Sequence, residues 1–308
     1  MLPRVQVLLS CWNGAHYLGE QLASLQAQSY ADRLTILIRD DGSTDATLDI
    51  AREYAARDSR IRLIEGPNVG VVRSFGILQQ EADAGAQLFC FCDQDDLWLP
   101  DKIRIGVQTL GRAANSVQPT LYASRSMVTD QTLQYLAPTA DYLRPPSFRN
   151  AMIQNIAPGH TMMANRPLLE ASRDSYNDAI IMHDHWWYLI ASGLGRVHFD
   201  HDWHALYRSH PNNVIGYEVG PIARIQARAK RLVTLDRSRY TAQDLAFRKA
   251  FAERLRPDDR WALEGFLDDQ TSLGSRARYV KRFPLVHATP ATSLVANALF
   301  LVGSYRQD

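Results

Sequence analysis

The sequence predicts an α/β fold: a mostly parallel central sheet flanked by helices, followed by a helical C-terminal region. Three observations carry that reading. Strand-like and helix-like segments alternate through the first hundred residues, and the strand-like ones are unbroken apolar runs. Beyond about residue 221 the chain becomes helical and rich in charge. Strands that are apolar on both sides are buried on both faces, the pattern of a parallel sheet between helices.

The elements follow in order. VQVLLS (5–10) reads as the first strand, and Gly14 through Gln28 has helical spacing with Leu18, Leu22 and Leu25 on one side. LTILIRD (34–40) is the second strand, followed by a helix capped near Ser43 to Asp45 and running through Tyr54. IRLIEG (61–66) is the third, a helix around 72–84 follows, and LFCFCD (88–93) is the fourth. From about 119 to 210 short strands and helices mix, with Pro145-Pro146 and Pro158-Gly159 as punctuation. Three helical segments come next: IARIQARAKRLVTL (222–235), AQDLAFRKAFAERL (242–255) and DDRWALEGFLDD (258–269). The tail combines a basic run, RARYVKR (276–282), with the apolar SLVANALFLVG (293–303).

Composition narrows the class. The 308 residues suffice for one large domain or two smaller ones, and 46% hydrophobic with 22% charged residues describes an ordinary globular protein. A net charge of +1 offers no global field for nucleic acid. Three cysteines argue against a disulfide framework and fit a reducing, cytoplasmic setting; Cys90 and Cys92 read as small buried residues. MLPRVQVLLSCWNG (1–14) has too short an apolar stretch for a signal-peptide core, and no run approaches the roughly 20 apolar residues of a membrane span.

In parallel sheets ligands bind beyond the carboxyl ends of the strands. Two acidic clusters stand at such ends: Asp40, Asp41 and Asp45 in RDDGSTD (39–45), and Asp93, Asp95 and Asp96 in DQDD (93–96). One acid would cap the following helix as well as two, so Asp41 is a candidate for contact with a base or with ribose hydroxyls. Carboxylates this close repel one another unless a cation, a cation-bridged polyanion or a set of hydroxyls relieves them. Ser10, Trp12 and Asn13 in SCWNG (10–14) would bring backbone amides and a small polar side chain to the same crevice. Arg73, on the helix after GPNVG (66–70), has the planar fork suited to a phosphate.

Taken together, VLLSCWNGAHYLGEQLASLQAQSY (7–30), IRDDGSTDAT (38–47), NVGVVRSFG (68–76) and CDQDDLWLPDKI (92–103) resemble the family-2 glycosyltransferases of the GT-A fold. HDHWW (183–187) is similar to that family's acid-containing acceptor motif, and YRSHPNNVIG (207–216) to a segment of bacterial rhamnosyltransferases. The resemblance implies inverting transfer of a sugar from a nucleoside diphosphate to an acceptor hydroxyl, with Mg²⁺ or Mn²⁺. It implies that Asp93 and Asp95 are the DXD acids, with Asp93 toward ribose, Asp95 toward the metal and Asp96 in support. It also makes His210 a ligand of the metal or diphosphate, Asp184 the base, and Asn213 an ordering residue of its loop. GHTMMANR (159–166) resembles the strand lining the acceptor side, without a residue to carry over.

Other chemistries fit these motifs less well. An EF-hand loop fails at Leu97 and Trp98. An aspartyl-phosphatase site, with Asp93 as nucleophile, lacks the Thr or Val expected where Leu97 stands. His183 and His185, with His198, His201 and His204, invite a zinc site, but in an alternating strand (VHFDHDWHALYR, 197–208) successive histidines face opposite sides. Trp186 or Trp187 could stack on a sugar ring or belong to the core. The expected organisation is a GT-A domain over 1–220, its nucleotide-sugar half about 1–110 and acceptor half about 111–220, then a helical region over 221–308. The expected function is transfer of L-rhamnose from dTDP-L-rhamnose to a glycan or lipid-linked acceptor in surface polysaccharide synthesis. The other class is a catalytically silent sugar-nucleotide-binding scaffold, against which the full set of acids counts. Partners are the donor and acceptor. The tail could touch an inner membrane face through Arg276, Arg278, Lys281 and Arg282 with Leu294, Val295, Leu299, Leu301 and Val302, or could dock on the protein's own core or in a homodimer.

Overall fold

The computed structural model describes residues 2–142, 144–210, 236–268, 271–287 and 289–305. Asn213 and the helix expected over 222–235 lie outside the described residues. The sheet-forming strands are β1 (Val5–Cys11), β2 (Leu34–Asp40), β3 (Ile61–Glu65), β4 (Leu88–Cys92), β5 (Leu97–Trp98), β6 (Thr120–Thr129), β7 (Tyr135–Pro138), β8 (Met163–Asn165) and β9 (Arg196–Arg208). They assemble in the order β3-β2-β1-β4-β8-β6-β9-β5, with β7 on the side of β6. β3, β2, β1 and β4 run parallel; the short β8 is antiparallel to both β4 and β6, and β6 runs parallel to β9. The α/β architecture expected from the sequence is the one found.

The apolar runs are buried because both faces of the parallel half are covered. On one face Val5, Val7, Leu9, Ile36, Ile38, Cys90 and Cys92 pack against α1 (Leu18–Gln26), α2 (Thr47–Arg57) and α4 (Lys102–Leu110). On the other, Leu8, Leu37, Phe89 and Phe91 share a core with α3 (Val71–Gln80), α5 (Phe148–Ala151), α6 (Arg166–Asp174) and α7 (His183–Leu194). The period of two in a strand sends alternate residues of one run to these two cores. All three cysteines are free and buried.

α1 begins at Leu18 rather than near Gly14, as the spacing predicts. Residues 14–17 form a turn closed on the Gly14 carbonyl, and the amides of Gly14 and Ala15 donate to Thr47 Oγ1 (2.8 Å) and Asp45 Oδ2 (3.2 Å). Side chains from the 40–47 segment thus satisfy amides that precede the helix.

The C-terminal helices are α8 (Ser238–Phe251), α9 (Pro257–Asp268), α10 (Leu273–Arg282) and α11 (Pro290–Leu301). Phe247, Phe251, Leu263, Phe266, Tyr279, Ala296 and Phe300 belong to the same hydrophobic core as Phe91 and Trp187, so this region closes one face of the sheet. No helix among the described residues is long and apolar enough to cross a membrane.

Trp186 and Trp187, weighed as rings that could stack on a sugar, are both fully buried on α7. Trp187 packs on Phe91 (ring centroids 3.8 Å apart) and donates to Gln79 Oε1 (2.9 Å), and Trp186 donates to Ser175 Oγ (3.1 Å). They are core residues. Trp187→Ala should therefore destabilise the protein by about 3–5 kcal/mol in urea unfolding, with Trp187→Phe costing less. A Trp187→Ala variant of unchanged stability would contradict this placement.

Candidate active site

Strand register assembles the site. Cys11 pairs with Asp40 and Leu9 with Cys92, so the segments after β1, β2 and β4 leave the sheet side by side. Their side chains then tie the segments together. Asn13, in the left-handed region (φ 48°), accepts from the Thr44 amide through Oδ1 (2.8 Å), and its own amide donates to Ser43 Oγ (3.0 Å). Gln94, between the two DXD acids, accepts from the Trp12 amide (2.8 Å) and donates to the Trp12 carbonyl (3.1 Å). A side chain on Gly14 would collide with Gln94, whose carbonyl oxygen lies 2.2 Å from the position of an added Cβ. Gln94 therefore locks the first loop onto the DXD loop, a role that its place as the variable residue of the motif conceals. Trp12 itself stays half exposed.

Asp41, the candidate for contact with a base or with ribose hydroxyls, lies against the 66–70 loop. It is 3% exposed, and its carboxylate accepts from the amides of Val69 (2.9 Å) and Gly70 (3.0 Å) and from the buried Arg39. Arg39 also donates to Ser74 Oγ (2.9 Å), which shares a hydrogen bond of 2.6 Å with Ser10 Oγ. Asp41 thus anchors the 66–70 loop to the end of β2. Asp40 holds the turn through the Gly42 and Ser43 amides. Arg73, in the first turn of α3, is exposed.

The carboxylates after β4 are held from beneath and from the side. Burial, then Asp95 and Asp184, push the Asp93 carboxyl up to about 8, although its side chain retains 42% exposure. Asp96 is 1% exposed, and among the described residues neither of its oxygens has a hydrogen-bond partner of ordinary geometry. Burial, followed by the charges of Asp95 and Asp93, drives it well above the usual carboxylate range. His160, which the sequence reading passed over within GHTMMANR, places Nδ1 3.6 Å from Asp96 and 3.9 Å from Asp93, with Nε2 3.1 Å from Ser126 Oγ. Burial, with Lys102 nearby, holds this imidazole down to about 3, so it is neutral and offers a lone pair. Among the described residues, Asp93, Asp96 and His160 form a group whose ligand atoms lie within 4.8 Å of one another. Lys102, buried on the first turn of α4, has its ammonium 3.9 Å above the Trp98 ring.

Beside this group, His210 Nε2 lies 2.8 Å from Asp95 Oδ2, and its ring stacks on Tyr17. Arg208 donates to the Asp95 carbonyl (3.0 Å) and the Gln131 carbonyl (2.7 Å) and pairs with Glu20. The end of β9 thereby clamps the DXD loop from the other half of the sheet.

Asp184 sits in the first turn of α7 and is buried. Its Oδ2 accepts from the Gly159 amide (3.0 Å) and its Oδ1 from the His185 amide (2.6 Å). Burial outweighs these bonds and pushes the carboxyl up to about 6. His183, stacked on Phe75 with centroids 3.7 Å apart, has no hydrogen-bond partner among the described residues; His185 contacts the Ala151 carbonyl. His201 and His204 contact Asp141 and Asp200, so these histidines are dispersed.

The Gln94 bridge has a measurable consequence. Two hydrogen bonds are each worth about 0.5–1.5 kcal/mol, so Gln94→Ala should speed amide exchange at residues 12–14 and 93–96 roughly 10-fold while global stability changes little. Unchanged protection there would show that the loops hold without it.

The assembled crevice can be set beside known proteins. The chain matches the model of Glycosyl transferase family 2 over residues 6–172, more than half its length. The dTDP-rhamnosyl transferase RfbG of Shigella flexneri is 25% identical over 265 residues, covering 80% of this chain and 85% of RfbG. EpsJ of Bacillus subtilis (strain 168), an uncharacterized glycosyltransferase, is 35% identical over 98 residues, or 31% of this chain and 27% of EpsJ. Several other relatives match in the same partial way, the chain spanning about a third of their length. Among solved structures, residues 1–349 of S. aureus TarS in complex with UDP-GlcNAc superpose with a TM-score of 0.58 at 15% identity, covering 99% of this chain and 92% of that one. The mannosyltransferase PcManGT from Pyrobaculum calidifontis, in complex with GDP-Man and Mn²⁺, gives 0.52 at 18% identity, covering 99% and 86%. At these identities the structural likeness is one of fold, GT-A. With a GT-A fold and residues 6–172, more than half its length, matched to the family model, the chain belongs to glycosyl transferase family 2.

Proposed function

We propose that the chain is an inverting glycosyltransferase that moves a sugar, L-rhamnose, from a dTDP-linked donor to a hydroxyl of a glycan or lipid-linked glycan. The observation that carries the chemistry is the relation of Asp184 to the DXD loop. Asp184 is a buried carboxylate, oriented through two backbone amides, whose charge reaches Asp93. A base and donor-binding acids therefore face one crevice at the strand ends. The acceptor oxygen attacks C1 of the sugar as the bond from C1 to the diphosphate oxygen breaks. The electron pair leaves with the diphosphate, and the acceptor proton passes to Asp184. Direct displacement of this kind inverts C1.

In this reading Ser10, Trp12 and Asn13 line the nucleotide side, Asp41 shapes it through the 66–70 loop, and Arg73 faces the phosphates. Asp93 contacts ribose. The residues fit a hard divalent cation: Asp95 and His210 are paired at 2.8 Å, and Asp96 has two oxygens without partners of ordinary geometry among the described residues. A diphosphate must reach the ion, and Asp95 keeps 15% and Asp93 42% of its side chain exposed, against 1% for Asp96, whereas His210 (6%) and His160 (5%) are covered alike. We assign Asp95, for its exposure, and His210, for its direct pairing with Asp95, as the ligands of Mg²⁺ or Mn²⁺, with Asp93 within reach and Asp96 and His160 behind them. When bound, the ion would offset charge on the leaving diphosphate. The rhamnosyl donor is supported by the similarity to RfbG and by the YRSH segment (207–210), which supplies Arg208 and His210.

Two experiments test this. Diphosphate release should be stopped by chelator and by Asp95→Asn, and restored in the wild type by Mn²⁺ or Mg²⁺; among nucleotide sugars dTDP-L-rhamnose should give the highest rate. Full activity in chelator would remove the metal assignment. The base acts ionised, so with a carboxyl near 6 kcat/KM should fall about tenfold per pH unit below that value and level off above it. Asp184→Asn should cut turnover roughly 10²-fold or more with donor binding intact. If donor affinity fell in parallel, Asp184 would belong to binding instead.

A further inference from the structure

The outward side of the C-terminal hairpin combines exposed apolar side chains with cations. α10 and α11 run antiparallel, tied at one end by Arg276 Nε to the Leu301 carbonyl (2.7 Å) and at the other by Asn297, which brackets Leu285 through both backbone groups (2.9 Å each). The inner side of α11, with Ser293, Ala296 and Phe300, is buried, and Phe300 packs on Phe266 and Tyr279. Its outer side carries Ala291, Leu294, Val295 and Ala298, with Val302 one turn further, a spacing that lines one helical face. α11 contains no charged residue at all, yet Leu294 and Val302 are 74% and 73% exposed. Leu299 and Leu301, expected at the interface from sequence, are instead partly buried, and Arg276 is buried against the Leu301 carbonyl.

The flanking charge has one sign. Residues 271–305 contain Arg276, Arg278, Lys281 and Arg282 and no acidic residue. Arg278, Lys281 and Arg282 are exposed on α10 beside exposed Leu273, and Arg282 lies over the half-exposed Trp261 of α9. An apolar stripe alone would suit several partners, but a basic rim without acids narrows them. A symmetric contact with a second copy would bring like charges together. A nucleic acid would leave the leucine and valine face with no counterpart. A bilayer with anionic headgroups satisfies both halves at once, apolar residues entering the interface and cations meeting the headgroups.

We propose that the outer face of the α10–α11 hairpin docks this protein on an anionic lipid surface. The hairpin is separate from the DXD loop and Asp184, so the proposal stands apart from the catalytic reading. Full-length protein should co-sediment with phosphatidylcholine vesicles containing phosphatidylglycerol, fail to do so with phosphatidylcholine alone, and dissociate at high salt. Arg278→Glu with Lys281→Glu, and separately Leu294→Ser with Val302→Ser, should each weaken partitioning roughly 10-fold or more. Thermal stability and turnover of a soluble acceptor should stay at wild-type levels, because the changed side chains point outward. Equal binding by the charge-reversed variant, binding that ignores salt, or no binding by the wild type would overturn the proposal. A concentration-dependent dimer in sedimentation, lost with Leu294→Ser and Val302→Ser, would overturn it by assigning the face to a second copy.

Discussion

Mutual repulsion of carboxylates at the end of β4 is the constraint on which the rest of this site depends. Asp93, Asp95 and Asp96 fall within four residues, and Asp184 approaches from α7. In a buried setting such charges cannot all persist alone; protonation or a counter-charge must relieve them. The surrounding structure supplies direction more than neutralisation. Gln94 fixes the loop to β1, Arg208 holds the Asp95 carbonyl, and His210 meets the Asp95 carboxylate. Among the described residues the Asp96 carboxylate has no hydrogen-bond partner of ordinary geometry, an expensive arrangement unless an ion or proton completes it.

The same constraint explains why the site draws on both halves of the sheet. The parallel half brings the loops after β1, β2 and β4 together and supplies Lys102 from α4 near Asp96. The far half supplies Arg208 and His210 at and beyond the end of β9, and the neutral His160 before β8. β6 bridges the halves, pairing with both β8 and β9. The parallel half folded alone would lack Arg208, His210 and His160, which meet Asp95 and Asp96.

Burial divides the acids by task. Asp40 and Asp41 accept backbone amides and hold the 66–70 loop and its neighbouring turn, which is structural work done at the edge of a crevice. Asp184 also accepts two amides, yet burial still lifts its carboxyl to about 6, within the range where a base can take a proton near neutral pH. Two similar hydrogen-bonding patterns thus serve different ends. Asp41 faces a loop that it completes, whereas Asp184 faces other carboxylates.

The sequence alone determined the strands of the parallel half, the two acidic strand ends and the family, because apolar runs and motif order are local properties of the chain. Val5–Cys11, Leu34–Asp40 and Leu88–Cys92 lie where their apolar content places them. Only tertiary structure decided what those residues touch. Trp186 and Trp187 stand two and three residues after Asp184, yet the turn of α7 sends them into the core. Asp41 is drawn into a loop 28 residues away, and His160 reaches Asp96 across 64 residues. A side chain's neighbours depend on helix phase and on which strands lie adjacent. Neither is written in a motif, because both follow from packing the whole sheet between its two cores.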